Sequence, residues 1–85
     1  MQIVIIALAK RKLERRGIPV QWVEETIQKP SRTVSGYGGR TVYQRFYQKA
    51  GEKEQLLRVV CEESGEKRVV VTAYLTSESH RYWRT

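Results

Sequence analysis

The stretch at residues 40–47 reads RTVYQRFY, and its polarity alternates with the period of two that is typical of a half-exposed strand. One side of this strand carries Thr41, Tyr43, Arg45 and Tyr47. The other side carries Val42, Gln44 and Phe46. Tyrosine beside arginine favours a surface that holds something anionic and planar, as RNA is. We therefore predict that the side with the tyrosines is uncovered.

Two helices are predicted upstream of this strand. Residues 3–6 are β-branched and predict a short extended start, which a helix follows from about residue 7. Gly17 is expected to end this first helix, because glycine readily takes the left-handed turn found there. Pro19 can begin the second helix and Pro30 would end it, since proline suits a first helical turn but not a later one.

The rest of the sequence predicts strands. Residues 31–35 suit a short strand and residues 36–39 a loop. Three strands are then expected at 40–47, 55–61 and 67–75, where short glycine-containing spacers favour antiparallel hairpins. The predicted fold is α+β, with two N-terminal helices packed on a four-stranded antiparallel sheet, in one domain that spans residues 1–85.

In such a fold the apolar register of each strand would face the helices, and the other register would form an open face. The residues predicted to share this open face are Tyr43, Arg45, Tyr47, Arg58, Thr72 and Tyr74. A bulge in any strand would change part of this set. The polar segment 76–85 is expected to pack back on the rim, which would bring His80 and Arg81 near the same face.

The composition restricts the class of function. The formal net charge of +7 in 85 residues favours nucleic acid, an anionic membrane surface or an acidic protein as a partner. A single cysteine, Cys61, allows no internal disulfide and predicts a reducing, cytoplasmic compartment and a buried, unreactive thiol. The apolar run 3–9 is far shorter than the roughly 20 residues that span a bilayer, so no membrane association is expected. Metal-ligand spacing is absent and the chain has no aspartate, so neither a metal, a cofactor nor a Ser-His-Asp arrangement is predicted.

Several strings, taken in order, resemble a known family. They are LERRGI at 13–18, KP at 29–30, GRTVYQR at 39–45, LRVV at 57–60 and VVVTAY at 69–74. Together they are similar to a family of small bacterial and cyanobacterial domains of unknown function that is grouped with the RelE/ParE-like toxins. The resemblance implies a microbial RNase-like, RelE-like fold. It also implies a toxin of a type II toxin–antitoxin system: a metal-independent endoribonuclease that cuts mRNA, sometimes on the ribosome, and is neutralised by an antitoxin protein.

Metal-free RNA cleavage needs a base, an acid and cations for the charged phosphorane. We predict that Arg45 and Arg58 hold phosphate, that Tyr74 stacks on a base or donates a proton, and that His80, the only histidine, moves protons. The residues predicted to bind RNA are Lys10, Lys12, Arg15, Arg16, Tyr43, Tyr47 and Arg81. The same arginines and lysines could instead be solvated, the first helix could dock an acidic partner, and the tyrosines could pack across strands.

One residue departs from the family pattern. The first helix of the family opens Ser/Thr-x-His-Ala, whereas residues 6–9 here read IALA, so that Leu8 stands at the histidine position. This departure favours an alternative: a degenerate toxin that serves as a non-catalytic RNA- or protein-binding module on the same fold.

Overall fold

A computed structural model describes residues 1–82, without the side chains of residues 79 and 80. In chain order the elements are β1 (Gln2–Ile5), α1 (Ala7–Arg16), α2 (Val20–Gln28), β2 (Arg32–Ser35), a single 3-10 turn (Tyr37–Gly39), β3 (Thr41–Tyr47), β4 (Gln55–Ser64), β5 (Lys67–Thr76) and α3 (Ser79–Tyr82). The predicted extended start, the two helices after it and the three long strands are thus confirmed.

The sheet has five strands in the order β1-β5-β4-β3-β2. Strands β2 to β5 form the predicted antiparallel meander, but β1 pairs in parallel with β5. The prediction of a four-stranded, fully antiparallel sheet is therefore wrong: the sheet has a fifth strand, β1, and that strand is parallel to its neighbour. The physical reason is that the meander leaves one edge of β5 with unpaired backbone N–H and C=O groups. The β-branched N-terminal segment forms a strand that hydrogen-bonds to them. The α+β class, with two N-terminal helices on the sheet, is confirmed.

The helix ends follow the local sequence. Gly17 adopts φ 63°, and the amide of Ile18 donates to the carbonyl of Leu13 at 3.0 Å, which closes α1 in a left-handed cap. The second helix begins directly after Pro19, and its last backbone bond runs from the amide of Lys29 to the carbonyl of Glu25. A short link joins the two helices, of which α1 contacts β5 and α2 contacts β3 and β4.

The core lies between the two helices and one face of the sheet. It contains Ala9 and Leu13 from α1, Ile18 from the link, Val23 and Ile27 from α2, and Tyr43, Leu57, Val59, Cys61, Val70 and Ala73 from the strands. A bulge in β5 opposite Val60 and Cys61 shifts the register, so that Val70 rather than Val71 turns into the core. Within residues 1–82, no helix is both long enough and apolar enough to cross a membrane.

The buried thiol provides a test of this core. Cys61 is fully buried, and burial raises its pKa to about 12, with the nearby Glu63 carboxylate contributing in the same direction. A thiol reacts with a disulfide reagent only as the thiolate. We expect thiol labelling of the native protein at mildly alkaline pH to be at least about a hundredfold slower than labelling of the unfolded chain, whose thiol pKa is near 8.5. Equal rates in the two states would contradict the packing of β4 described above.

Candidate nucleic-acid interface

The register of the sheet divides the candidate residues between its two faces. Arg58 of β4 pairs with Gln44 on one side and with Tyr74 on the other. Directly paired residues lie on the same face of a sheet, so these three side chains share one face. Arg45 instead pairs with the core residue Leu57 and therefore lies on the opposite face, which the helices cover.

The prediction that Arg45, Arg58 and Tyr74 share an open face is therefore wrong, because the orientation of β3 is opposite to the predicted one. Its tyrosine side faces the helices, whereas the side with Gln44 faces away from them. The rings of Tyr43 and Tyr47 supply apolar area to the helix-covered face, and their hydroxyl groups reach polar partners at its margin. Thr72 and Tyr74 do lie on the face of Arg58, as the register of β5 shows.

On the helix side, Tyr47 joins β3 to α2. Its ring stacks on Trp22, with centroids 4.6 Å apart and planes at 17°. Its hydroxyl lies 2.9 Å from Glu25 Oε1, 3.1 Å from the carbonyl of Trp22 and 3.0 Å from the hydroxyl of Thr26. Burial raises the pKa of the Tyr47 hydroxyl, so it stays protonated and can donate. These contacts assign a structural role to Tyr47, for which RNA binding was predicted.

Arg45 also makes structural contacts with α2. Its Nη1 donates to the carbonyl of Lys29 at 2.8 Å, and its Nε lies 3.8 Å from Glu25 Oε1. Because the last carbonyls of a helix have no partner within the helix, an arginine there stabilises the helix end. Arg45 is thus separated from Arg58 by the thickness of the sheet.

Tyr43 belongs to a third contact group at the far end of the helix-covered face. Its hydroxyl donates to Glu63 Oε1 at 2.7 Å and accepts from Arg68 Nε at 2.9 Å. Burial and the bond to Glu63 raise the pKa of Tyr43, while the same bond, followed by the charge of Arg68, lowers the pKa of Glu63. The contribution of Glu63 to stability is therefore present above its unfolded pKa and is lost as pH falls through its lowered folded value.

The opposite face, which α1 and α2 do not cover and which we call the open face, is centred on Arg58. Arg58 is half-buried there, and Val42, Gln44 and Leu56 on the same face are buried. Arg58 Nε donates to Gln44 Oε1 at 2.7 Å, and Nη1 donates to the hydroxyl of Tyr74 at 2.5 Å. Its guanidinium carbon lies 4.1 Å from the ring centroid of Tyr82, within cation–π range. Arg32 is in register with Gln44, so a row of polar residues crosses four strands from Arg32 to Tyr74.

Gln44 is the feature of this row that sequence reasoning missed. Its side chain is fully buried, its oxygen accepts from Arg58, and its Nε2 has no hydrogen-bond partner among the described residues. A buried amide nitrogen without a partner is costly and calls for an explanation. The signal was available: a glutamine stands between Val42 and Phe46, on the side of β3 that was assigned to the core.

The short helix α3 closes one side of the Arg58 cluster. Tyr82 makes an edge-on contact with Tyr74, with centroids 6.5 Å apart. Arg81, for which RNA binding was predicted, donates to Glu78 Oε2 at 3.0 Å, and this bond raises the pKa of Arg81. The prediction for His80 falls on a side chain outside the described ones, so no placement is given for it.

One of the basic residues of α1, the exposed Arg16, contacts the sheet. Arg16 Nη1 donates to the carbonyl of Ala73 at 2.7 Å and lies 3.4 Å from Thr72 Oγ1, so Arg16 joins α1 to the edge of β5. Lys10 and Arg15 are exposed, and Lys12 is half-buried. RNA contact by these four residues stays a prediction.

Leu8, at the position where the resemblance predicted a histidine, is 52% exposed. With Ile6 and Lys12 it lines a groove of about 440 Å³ whose other lining residues are Arg40, Glu62, Val69, Val71 and Thr72. The ion pair between Arg40 and Glu62, at 3.0 Å, lies in this groove. Across the described part of the chain, no three His, Cys, Asp or Glu side chains come together as a metal site requires.

Comparison with known proteins gives one match. A family described as a domain of unknown function, DUF4258, matches residues 9–75, which run from the first helix to the end of the last long strand. No curated protein matches the chain, and no solved structure does. The match includes Gln44, Arg58 and Tyr74 and leaves out β1 and α3.

The structural role of Tyr47 can be tested by removing only its hydroxyl. We expect Tyr47→Phe to lower the free energy of unfolding by about 1 kcal/mol, because the hydroxyl of Thr26 and the carbonyl of Trp22 lose a half-buried partner. Urea unfolding measures this change. The matched control is Tyr37→Phe, at a tyrosine that is 97% exposed, where we expect a change below about 0.5 kcal/mol. Equal stability of the two variants would contradict the assigned role.

Proposed function

The chain belongs to the DUF4258 family, and from its open face we propose that it is a metal-independent endoribonuclease of the RelE-like toxin group, which an antitoxin protein neutralises. The observation that carries this proposal is the contact of Arg58 with both Gln44 and Tyr74 on the face that α1 and α2 leave uncovered. The proposal includes a RelE-like fold, a cytoplasmic location and single-stranded RNA as the substrate.

Arginine suits the phosphate at the point of cleavage. Arg58 uses Nε and Nη1 for its contacts with Gln44 and Tyr74, and among the described residues its Nη2 group has no hydrogen-bond partner, so we propose that Nη2 donates to a non-bridging phosphate oxygen. Gln44 and Tyr74 hold the guanidinium in place, and a donor that is already oriented stabilises developing charge without reorganisation. This is the property that a phosphorane intermediate requires.

Tyr74 provides the acid in this proposal. Attack of the 2′-oxygen on phosphorus forms a cyclic phosphate and breaks the bond to the 5′-oxygen, which must receive a proton. A tyrosine hydroxyl is a proton donor, and the hydrogen bond from Arg58 Nη1 holds the Tyr74 oxygen in place. The proton of the 2′-hydroxyl passes to a base, a role for which His80 is proposed.

A second candidate function is a non-catalytic module that binds RNA or a partner protein. The observation in its favour is Leu8, which is exposed beside Ile6 where the family pattern has histidine. In this reading the open face binds its ligand without cutting it, and the basic surface of α1 docks an acidic protein segment.

The central test is a cleavage assay on labelled single-stranded RNA in the presence of EDTA. We expect Arg58→Ala to lower the cleavage rate by about 10²–10³, the usual cost of one oriented donor. The matched control is Arg45→Ala, which removes the same charge from the other face and should change the rate less than about threefold. Circular dichroism confirms that both variants are folded. Equal losses in both variants would contradict the assignment to the open face.

The acid can be tested separately in the same assay. We expect Tyr74→Phe to lower the cleavage rate by about 10²–10⁴, as the loss of a general acid does, while RNA affinity changes little. His80→Ala tests the base in parallel. RNA that binds to the native protein and stays intact would refute the enzyme and support the binding module, whereas failure to bind RNA at low salt would refute both RNA functions.

A further inference from the structure

We propose that a cationic cavity beside β5 binds a second phosphate of the RNA strand, next to the phosphate held by Arg58. This inference rests on the proposed function and adds a subsite to the same surface. The cavity has a volume of about 410 Å³ and is lined by Arg16, Lys49, Gln55, Tyr74 and Leu75. Lys49 and Gln55 were not among the residues that the sequence singled out.

The cavity exists because β1 is short. Its last residue, Ile5, pairs with Val70, so the edge of β5 beyond that point is not covered by β1. The end of α1 approaches this edge, where Arg16 donates to the carbonyl of Ala73. The hairpin between β3 and β4 brings Lys49 to the same place, and the cavity lies between these three segments.

The charges of the cavity favour an anion. Among the described residues, two of those that line it are cations, two are neutral and polar and one is leucine, and none carries a carboxylate. Two cations that face one cavity repel each other, and a bound phosphate relieves that repulsion. Arg16 makes both of its bonds to β5 through Nη1, so its Nε and Nη2 groups remain available to a phosphate.

Lys49 lies against the end of α1. A β-carbon built on Gly17 would lie 3.3 Å from Lys49 Nζ, so the ammonium group lies directly against the glycine that caps this helix. The C-terminal end of a helix carries partial negative charge and attracts a cation. Lys49 is also half-buried, which limits its freedom before any ligand arrives.

Tyr74 connects the cavity with the open face. Tyr74 is one of the residues that line the cavity, and its hydroxyl accepts the hydrogen bond from Arg58. An RNA strand that places one phosphate on Arg58 can therefore pass along Tyr74 and place a neighbouring phosphate between Arg16 and Lys49. Two phosphates held on either side of the acid would fix the 5′-oxygen between them in reach of the hydroxyl.

Lys49→Gln tests the cavity, with Lys53→Gln as its matched control. Lys53 lies in the same hairpin and is exposed, but it does not line the cavity. Binding of a labelled single-stranded RNA oligonucleotide is measured over a series of salt concentrations. We expect Lys49→Gln to weaken binding and to reduce the slope of log affinity against log salt by about 0.7, the value for one phosphate contact on a single strand. Lys53→Gln should leave this slope unchanged.

Identical slopes in the two variants would overturn the inference while the cleavage assay still supported the proposed function. A second measurement tests the anion site independently of the proposed function. Inorganic phosphate is titrated into the native protein, and the amide NMR signals of Lys49 and Gln55 are followed. If RNA does not bind, signals that move in the native protein but not in Lys49→Gln would support the anion site and overturn RNA as its ligand. Signals that move in neither protein would overturn the site.

Discussion

The stacking of Trp22 on Tyr47 determines which side of the sheet is covered. This contact, with the hydroxyl groups of Tyr47 and Thr26 beside it, joins α2 to β3. Once Tyr47 faces the helix, the period of two in β3 turns Tyr43 and Arg45 to the same side and Gln44 to the other. A slip of one residue would exchange the two sets, so the position of the polar row on the open face depends on this packing.

The two faces of β3 use polar side chains in different ways. On the helix side, Tyr43, Arg45 and Tyr47 have their polar ends bound to glutamates or to helix carbonyls. On the open face, Gln44 accepts from Arg58 and has a buried nitrogen for which the described residues supply no partner. Satisfied polar ends stabilise a fold, whereas an unsatisfied buried donor beside a cation costs stability and is typical of a binding site. This contrast is the reason for placing the candidate site at Arg58 and not at Arg45.

Parts of the site could be predicted from sequence. Arg58 and Tyr74 were identified because their strands have one clearly aliphatic register, which places the mixed register on the face away from the helices. Arg45 was misplaced because its strand offers two amphipathic sides. A tyrosine ring buries as well as an aliphatic side chain while its hydroxyl reaches solvent or a partner, so tyrosine does not report which side is buried. Gln44 was missed because it lies between Val42 and Phe46, and this side of β3 was predicted to face the helices.

The sequence by itself determined the local elements: Gly17, Pro19 and Pro30 bound the helices, and glycine-containing spacers separate the long strands. These features act over a few residues, where backbone φ and hydrogen-bonding capacity decide the outcome. Only the tertiary structure decided the parallel pairing of β1 with β5, the bulge opposite Val60, the side of β3 that meets α2 and the meeting of Arg16 with Lys49. Each of these depends on contacts between residues far apart in the chain. The free energy of such contacts cannot be predicted from a short stretch of sequence.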